Sequence, residues 1–459
     1  MCPVVNHLQE IRKGNQMAEK EGLIEVGVAK IDITPDYPIR LNGYGSRRTE
    51  SEGIIQRIYA KALAIGSDDD GPVVMITVEN CGLPDELTEE VSERVKNKTG
   101  IPRENFVACY THTHSAPCLA NAASFIFSAD ISPEEQEKID CYTQQLKNWM
   151  ETVTLEALTR RKPCGLAWNI GELSFAKNRR TEGGPVDHSL PVMQFIDAED
   201  NLHAVWVSYA CHCTTLAGAD NHICGDWAGF AQEEIQKTHP DVTALITIGC
   251  GADANPESRM RPMPERKQEV FETRLAYAKE HGKAFAQEVE HQLERDTKSI
   301  SDVPVGAFKR VNLPFDKLPT REEWEARAAQ GGAIGYHAKK HIEMLENGQV
   351  IKTDISYPIQ AWTFGPELAV IFLASEVVVD FSLRLKKEFD ATRLWVGAYA
   401  NAFPGYIPSE RVLAEGGYEG GGAMIYFGQP TRFAPGVEQL VIDTVHQVLP
   451  AEFLAKSND

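Results

Sequence analysis

Apolar residues along this chain fall into two patterns. Short blocks rich in β-branched and aromatic residues occupy positions 25–31, 73–78, 106–111, 204–210, 244–248, 369–373 and 394–399. Bounded by polar or glycine-bearing turns, such blocks predict strands. Longer stretches space their apolar residues at helical intervals and predict helices at 84–98, 133–161, 227–237, 268–295, 321–345, 377–387 and 436–447. Strands alternating with helices define an α/β protein with a mixed β-sheet core flanked by helices. No internal repeat and no hinge rich in Pro, Gly and Ser divides the chain. The expected organisation is an N-terminal extension at 1–23, one domain over 24–450 and a tail at 451–459. The charged stretch at about 260–304 is expected to be a helical excursion on that domain.

The 459 residues are 42% hydrophobic and 24% charged, ordinary values for a globular chain, so wholesale disorder is excluded. Lys and Arg number 46 against 66 Asp and Glu, a formal charge of −20, and the densest basic clusters are isolated pairs such as Arg47-Arg48. Such a surface repels polyanions and anionic lipid, which excludes a nucleic-acid partner and favours a small-molecule substrate. The longest apolar run, 368–381, is broken by Glu376 and Asp380 and falls short of the roughly 20 residues of a membrane span. Residues 1–22 lack an apolar signal core, so the ten cysteines are expected to be reduced thiols of a cytoplasmic protein. An oligomer is compatible with all of this.

Candidate chemistry gathers at the ends of the predicted strands. Thr111-His112-Thr113-His114-Ser115 follows one of them directly, and residues two apart on an extended segment point to the same side. Two imidazoles converging on one point are a common start for a zinc site, though loop histidines bonded to backbone give the same pattern. His212 ends a second strand between Cys211 and Cys213; in an extended run it faces away from both thiols and would act with other histidines. Glu376 sits in the apolar run 371–379, where a carboxylate costs several kcal/mol of desolvation unless it is paired, protonated or bound to a cation. The loop Gly249-Cys250-Gly251-Ala252-Asp253-Ala254-Asn255-Pro256 offers close backbone approach and polar groups at a strand tip, without the Lys-Ser/Thr ending of a phosphate loop. Two further loops, 401–408 and 416–422, carry Tyr406 and Tyr418 among glycines.

In order along the chain these segments resemble the catalytic N-terminal domain of the neutral (alkaline, non-lysosomal) ceramidase family. The resemblance starts at Asp32-Ile33-Thr34-Pro35 and Leu41-Asn42-Gly43-Tyr44-Gly45 and is most specific at Thr111-His112-Thr113-His114-Ser115. It continues through Asn178-Arg179-Arg180, the His212 strand and Gly225-Asp226-Trp227-Ala228-Gly229, and spans roughly residues 24–450. It implies that fold, a hydrolase activity and a zinc ion held by His112, His212, Glu376 and Tyr406. His114, Arg179 and Tyr418 would face the substrate. On this resemblance the chain is expected to be a divergent member: Asn255 stands where the family carries a serine, and a counterpart of the family's β-sandwich tail is not expected within these 459 residues. Asparagine donates hydrogen bonds but serves neither as nucleophile nor as proton relay, which argues against ceramide itself as substrate.

The resulting expectation is a zinc-dependent hydrolase in which a zinc-activated water attacks an amide (N-acyl) bond of a soluble substrate, with His114, Arg179, Tyr418 and Asn255 as catalytic residues. Two alternatives are a hydrolase or lyase acting on a carbohydrate or polyol, and a non-catalytic zinc-binding scaffold. Asp32, Asp226 and Asp253 are candidate ligands for a second cation, Mg2+ or Ca2+. Cys109, Cys141, Cys164 and Cys250 are expected to act as small hydrophobes. His188, His203 and His239 lack a partner pattern, and His222 could reach the site. His337 and His341, beside Lys339-Lys340, are expected on a solvated helix face.

Overall fold

Thirteen strands share one sheet in the computed structural model, which describes residues 22–456. In chain order they are β1 (Ile24–Asp32), β2 (Tyr59–Ile65), β3 (Val73–Val78), β4 (Phe106–Tyr110), β5 (Lys162–Glu172), β6 (Ser189–Asp197), β7 (Leu202–Tyr209), β8 (Thr243–Ile248), β9 (Lys298–Ile300), β10 (Val305–Pro314), β11 (Asp354–Phe364), β12 (Leu368–Ala374) and β13 (Leu394–Ala400). Across the sheet the order is β8-β7-β6-β5-β1-β2-β3-β4-β13-β12-β11-β10, with β9 on β5. The β7–β8, β3–β4 and β12–β13 pairs are parallel and the other pairings antiparallel, so the sheet is mixed, as the sequence predicts.

Both faces of most strands are covered, which is why they read as unbroken apolar runs. In β12, Leu368, Val370 and Phe372 enter one core while Ala369, Ile371 and Leu373 enter another, the period of two along a strand. The first core also takes Val26, Leu63, Met75, Trp168, Trp206 and Trp395. The sheet is therefore curled on itself: Trp206 and Trp395 lie with ring centroids 4.2 Å apart, and an isolated bridge joins Gly249, just past β8, to Gly397 of β13. The outer face packs against helices α1 (Asp85–Thr99), α2 (Pro133–Thr159), α3 (Asp226–Thr238), α4 (Lys267–Leu293), α7 (Val379–Glu388) and α9 (Val437–Val448). Two shorter helices, α5 (Arg321–Ala328) and α6 (Gly332–Glu346), form a hairpin, and α8 (Glu410–Glu415) follows the last strand.

Gly27 shows how closely these layers meet. A methyl group there would lie 2.0 Å from the Ala157 carbonyl oxygen of α2 and 2.8 Å from the Arg161 amide. Gly27→Ala is expected to cost about 3 kcal/mol, the upper end of overpacking, since backbone cannot step aside as a side chain can. Urea denaturation measures this; a loss below ~1 kcal/mol would mean that α2 backs off freely.

Several sequence expectations need correction. The helix expected at 321–345 is two helices, because Gly331 and Gly332 adopt φ of 71° and 59° and reverse the chain. His337 and His341 are not on a solvated face: the reversal lays Trp324 flat on His341, centroids 4.5 Å apart, and both histidines are buried. The helix expected at 377–387 begins only at Val379, since Glu376–Val377 pairs as a short parallel ladder with Tyr406–Ile407. Cys141 is exposed rather than packed as a hydrophobe. The stretch at 260–304 is mostly α4, seated against α3 where Gly282 meets Phe230 and Ala231, and it ends in β9. The N-terminal extension, but for its last two residues, and the final three residues of the tail lie outside the described residues. No helix among the described residues is long and apolar enough to cross a membrane.

Candidate metal centre

The candidate residues converge where strands of the curled sheet end. β4 ends at Tyr110, and the chain turns at His112, whose φ of 58° is uncommon for a residue with a Cβ. The turn aims the imidazole back under the sheet end, where its Nδ1 meets the Cys81 carbonyl oxygen at 2.6 Å. β7 delivers His212, whose backbone N–H donates to the Ala254 carbonyl and whose Nδ1 lies 2.8 Å from the Gly251 carbonyl. The loop following β8 thus holds this second imidazole through its own backbone. Trp227 of α3 adds a hydrogen bond from Nε1 to the His212 carbonyl at 2.9 Å.

Glu376 arrives from the third direction. Ser375, at φ 66°, turns the chain out of β12, and its hydroxyl donates to the Gly405 carbonyl and accepts from the Gly405 N–H. The two-residue ladder then sets Glu376 directly opposite Tyr406. Glu376 Oε2 lies 3.2 Å from His112 Nε2 and 3.1 Å from His212 Nε2, with all three side chains buried. Ligand-type atoms of these three residues all fall within 4.8 Å of one another.

These contacts test whether a cation fits. Each imidazole already directs Nδ1 at a carbonyl, so Nδ1 carries the proton and a neutral ring offers Glu376 only the Nε2 lone pair. Two lone pairs facing a carboxylate oxygen in a dry pocket are repulsive unless a cation, or protons on both rings, lies between them. The donor set of two imidazoles and one carboxylate, with each imidazole oriented by a backbone carbonyl, suits zinc. Burial alone would raise the Glu376 carboxyl; positive charge at the Nε2 positions, whether protons on His112 and His212 or a cation in their place, holds it well below its ordinary value. Burial and the nearby Arg179 charge push His212 down to about 4, against the pull of Glu376.

Around this trio stand the remaining residues expected at the site. His114 Nε2 is 3.0 Å from His112 Nε2, and its ring meets Tyr44 edge-on at 4.9 Å; Gly43 has to be glycine because a Cβ would strike the His114 ring at 2.4 Å. Tyr406 Oη accepts a hydrogen bond from Arg179 Nη2 at 3.0 Å, and burial holds its phenol well above the ordinary value. Arg179 Nη1 reaches Asn255 Oδ1 at 3.4 Å and its Nε donates to Glu419 at 2.7 Å. Tyr418 lies 5.2 Å from the Tyr406 ring and is 45% exposed, so it lines the mouth. All eight residues named from the sequence therefore meet in one place.

Sequence reading missed three contributors. Glu419 fixes Arg179 and Arg180 together, and a lone carboxylate in the loop 416–422 was its only local sign. Tyr399 presents its ring 4.8 Å from His112 with a buried, unpartnered hydroxyl, yet in the sequence it is one more aromatic of β13. Arg259 reaches Tyr44 and Thr214 from a segment with no pattern at all. Positive φ at His112, Asp226, Ser375, Tyr399 and Asn401 adds backbone strain of the kind that collects at functional sites.

The aspartates offered for a second cation do not meet. Asp32 pairs with Arg57, Asp226 accepts from the backbone N–H groups of Thr215, Leu216 and Trp227, and Asp253 accepts from Val379 and Asn178. His222 stacks on Phe271 instead of joining the trio.

The chain is similar in sequence and fold to known proteins. Residues 24–247 match the family described as neutral/alkaline non-lysosomal ceramidase, N-terminal. A neutral ceramidase of Drosophila melanogaster is 24% identical over 229 residues, 47% of this chain and 32% of that protein, so the match spans about a third of the fly protein's length. A neutral ceramidase of Pseudomonas aeruginosa is 22% identical over 512 residues, covering 94% of this chain and 74% of the relative. The crystal structure of neutral ceramidase from Pseudomonas aeruginosa superposes with a TM-score of 0.72 at 18% identity, over 96% of this chain and 77% of that one. Sequence match and fold agree with the resemblance carried by the motifs: residues 24–247 match the N-terminal domain of the neutral/alkaline non-lysosomal ceramidases, and the chain as a whole shares the fold of the Pseudomonas aeruginosa protein.

Proposed function

We propose that the chain is a zinc-dependent hydrolase that cleaves an amide (N-acyl) bond of a small, soluble substrate. The observation that carries this reading is the pair of carbonyl-anchored imidazoles turning Nε2 toward one buried carboxylate. His112, His212 and Glu376 would hold the ion, with Tyr406 as a fourth, weaker ligand. When bound, zinc supplies Lewis acidity, lowering the pKa of a water ligand and polarising the scissile group. The surrounding side chains supply the rest. His114, whose Nε2 lies beside that of His112, takes and returns the proton. Arg179, fixed by Glu419 and stacked beside Tyr406 and Tyr418, points its guanidinium at the place where negative charge develops. Asn255 orients the substrate: its Oδ1 is taken by Arg179 and Thr214, which frees its amide N–H groups for a carbonyl oxygen.

One observation favours a second reading. The wall beside the trio is polar, made by Arg179, Asn255, Thr214 and Arg259, and would also suit a carbohydrate or polyol derivative. A screen of N-acyl amides against sugar derivatives separates the two; turnover of sugars alone would overturn the amide reading.

His112→Ala and His212→Ala should each lose zinc and activity together, whereas His114→Ala should keep zinc and lose at least about a hundredfold in turnover, the usual worth of a proton-transfer group. Elemental analysis and steady-state kinetics measure both. Full zinc stoichiometry in both alanine variants would defeat the ligand assignment.

A further inference from the structure

We propose that the lip of the site selects substrates bearing a carboxylate, which Arg259 binds. The inference rests on the amide-hydrolase reading for the reacting bond and on the chemistry of the lip for the selectivity.

The lip on the His114 side is built around Tyr44, whose Oη donates to the Leu216 carbonyl at 2.7 Å and whose ring meets His114. Three arginines surround it. Arg47 lies 5.1 Å over the Tyr44 ring and donates from Nη1 to the carbonyls of Asn42 and His114. Arg48 donates to the carbonyls of Gly45 and Arg47. Arg259 donates from Nη1 to Tyr44 Oη at 3.3 Å and to the Thr214 carbonyl at 3.1 Å. None of the three has a carboxylate within ion-pair reach among the described residues, although the chain has 20 more acidic than basic side chains and its surface is laced with Arg–carboxylate pairs. The acids on this side are engaged elsewhere: Asp220 pairs with Arg274, and Asp226 accepts backbone N–H groups.

Of the three, only Arg259 is both exposed and held at the site. Thr214, whose carbonyl anchors it, also donates its hydroxyl to Asn255, and Tyr44, its other anchor, touches His114. Its guanidinium is thereby set beside the residues proposed to orient the scissile bond. Nη1 is committed, while the edge formed by Nε and Nη2 has no hydrogen-bond partner among the described residues. That edge presents two parallel N–H groups, the fork that matches a carboxylate in bidentate fashion. Arg47 and Arg48, neither in an ion pair among the described residues, add positive potential that attracts the same group. The substrate class is therefore an N-acyl amide with an acid function near the amide, an N-acyl amino acid in the simplest form.

Calorimetric titration of the metal-free and the zinc-loaded protein with N-acetylglycine and with N-acetylglycinamide tests this. The acid should bind at least about tenfold more tightly than the amide in both states, and more weakly as salt rises. Arg259→Gln should bring the two ligands within about twofold while leaving binding of the amide unchanged. Equal affinities in the parent protein, no measurable binding of either ligand, or a preference that survives Arg259→Gln would each overturn the proposal. Failure of the hydrolase reading would appear separately, as zinc retained by His112→Ala and His212→Ala, because the carboxylate preference is read without metal.

Discussion

Glu376→Gln should weaken zinc binding on the order of a thousandfold, about 4 kcal/mol, and so remove activity without unfolding the protein. The carboxylate is the only negative charge among the three buried groups of the trio, and it is shared between both imidazoles at 3.1 and 3.2 Å. Glutamine fills the same volume and leaves the ladder to Tyr406 and the Gly405 contact intact, because both are made by backbone. It replaces an anion with a neutral amide, whose N–H2 group would repel a cation. Glu376→Asp should fall between the two, as it retains the charge but withdraws it by one methylene from Nε2 atoms fixed by carbonyls. Competition titration with a zinc indicator measures all three proteins, and circular dichroism of the metal-free forms checks the fold. Parent-like affinity in Glu376→Gln would show that the carboxylate is not a ligand and would remove the basis of the proposed mechanism.

The sequence reveals the site more completely than the fold, and particular residues show why. Strand-end histidines and a carboxylate in an apolar run violate the local pattern, and a violation can be seen without knowing what lies opposite. Strands such as β12 also stand out, because burial on both faces makes them uninterrupted. Five longer strands do not. β5 carries Pro163, Gly165 and Gly171, residues that read as turns, and is held by β1 and β6 on either side. β10 is the edge of the sheet and half exposed, and Lys309, Arg310 and Asn312 interrupt its apolar residues. β2, β6 and β11 mix polar with apolar positions, as Lys61, Gln194 and Gln360 show. The helix hairpin at α5 and α6 escapes for the opposite reason: its amphipathic period continues across two glycines, and only their positive φ turns it. The carbonyls of Cys81 and Gly251, which orient both imidazoles, have no side-chain signature at all.

Lys61→Met should be the most destabilising single change away from the site, at about 3–5 kcal/mol, the usual cost of breaking a buried charge pair from one side. Lys61 of β2 is buried and donates to Gln232 Oε1 at 2.5 Å and to the Ala244 carbonyl at 2.9 Å. Gln232 of α3 passes the contact on, donating to Glu79 Oε1 at 2.9 Å, and Glu79 Oε2 accepts the Tyr59 backbone N–H. Burial raises the Glu79 carboxyl and lowers the Lys61 ammonium, and each charge restrains the shift of the other. Without Lys61 the Glu79 carboxyl loses that restraint and sits further above its unfolded value of about 4.5. A carboxyl raised in the fold favours the protonated form there, so its penalty is absent at low pH and grows as pH climbs through the folded value. Lys61→Met should therefore lose much less stability near pH 5 than near pH 8. Adding Glu79→Gln should recover roughly 1–3 kcal/mol at the higher pH by removing the stranded charge. Urea denaturation of the parent, both single variants and the double variant at the two pH values gives the full cycle. A pH-independent loss, or a double variant no more stable than Lys61→Met, would show that Glu79 does not depend on Lys61. The network also reaches the candidate site through the fold, because Gln232 shares α3 with Trp227, which holds the His212 carbonyl. Zinc affinity should accordingly fall in Lys61→Met and return in the double variant, although no ligand has been touched in either.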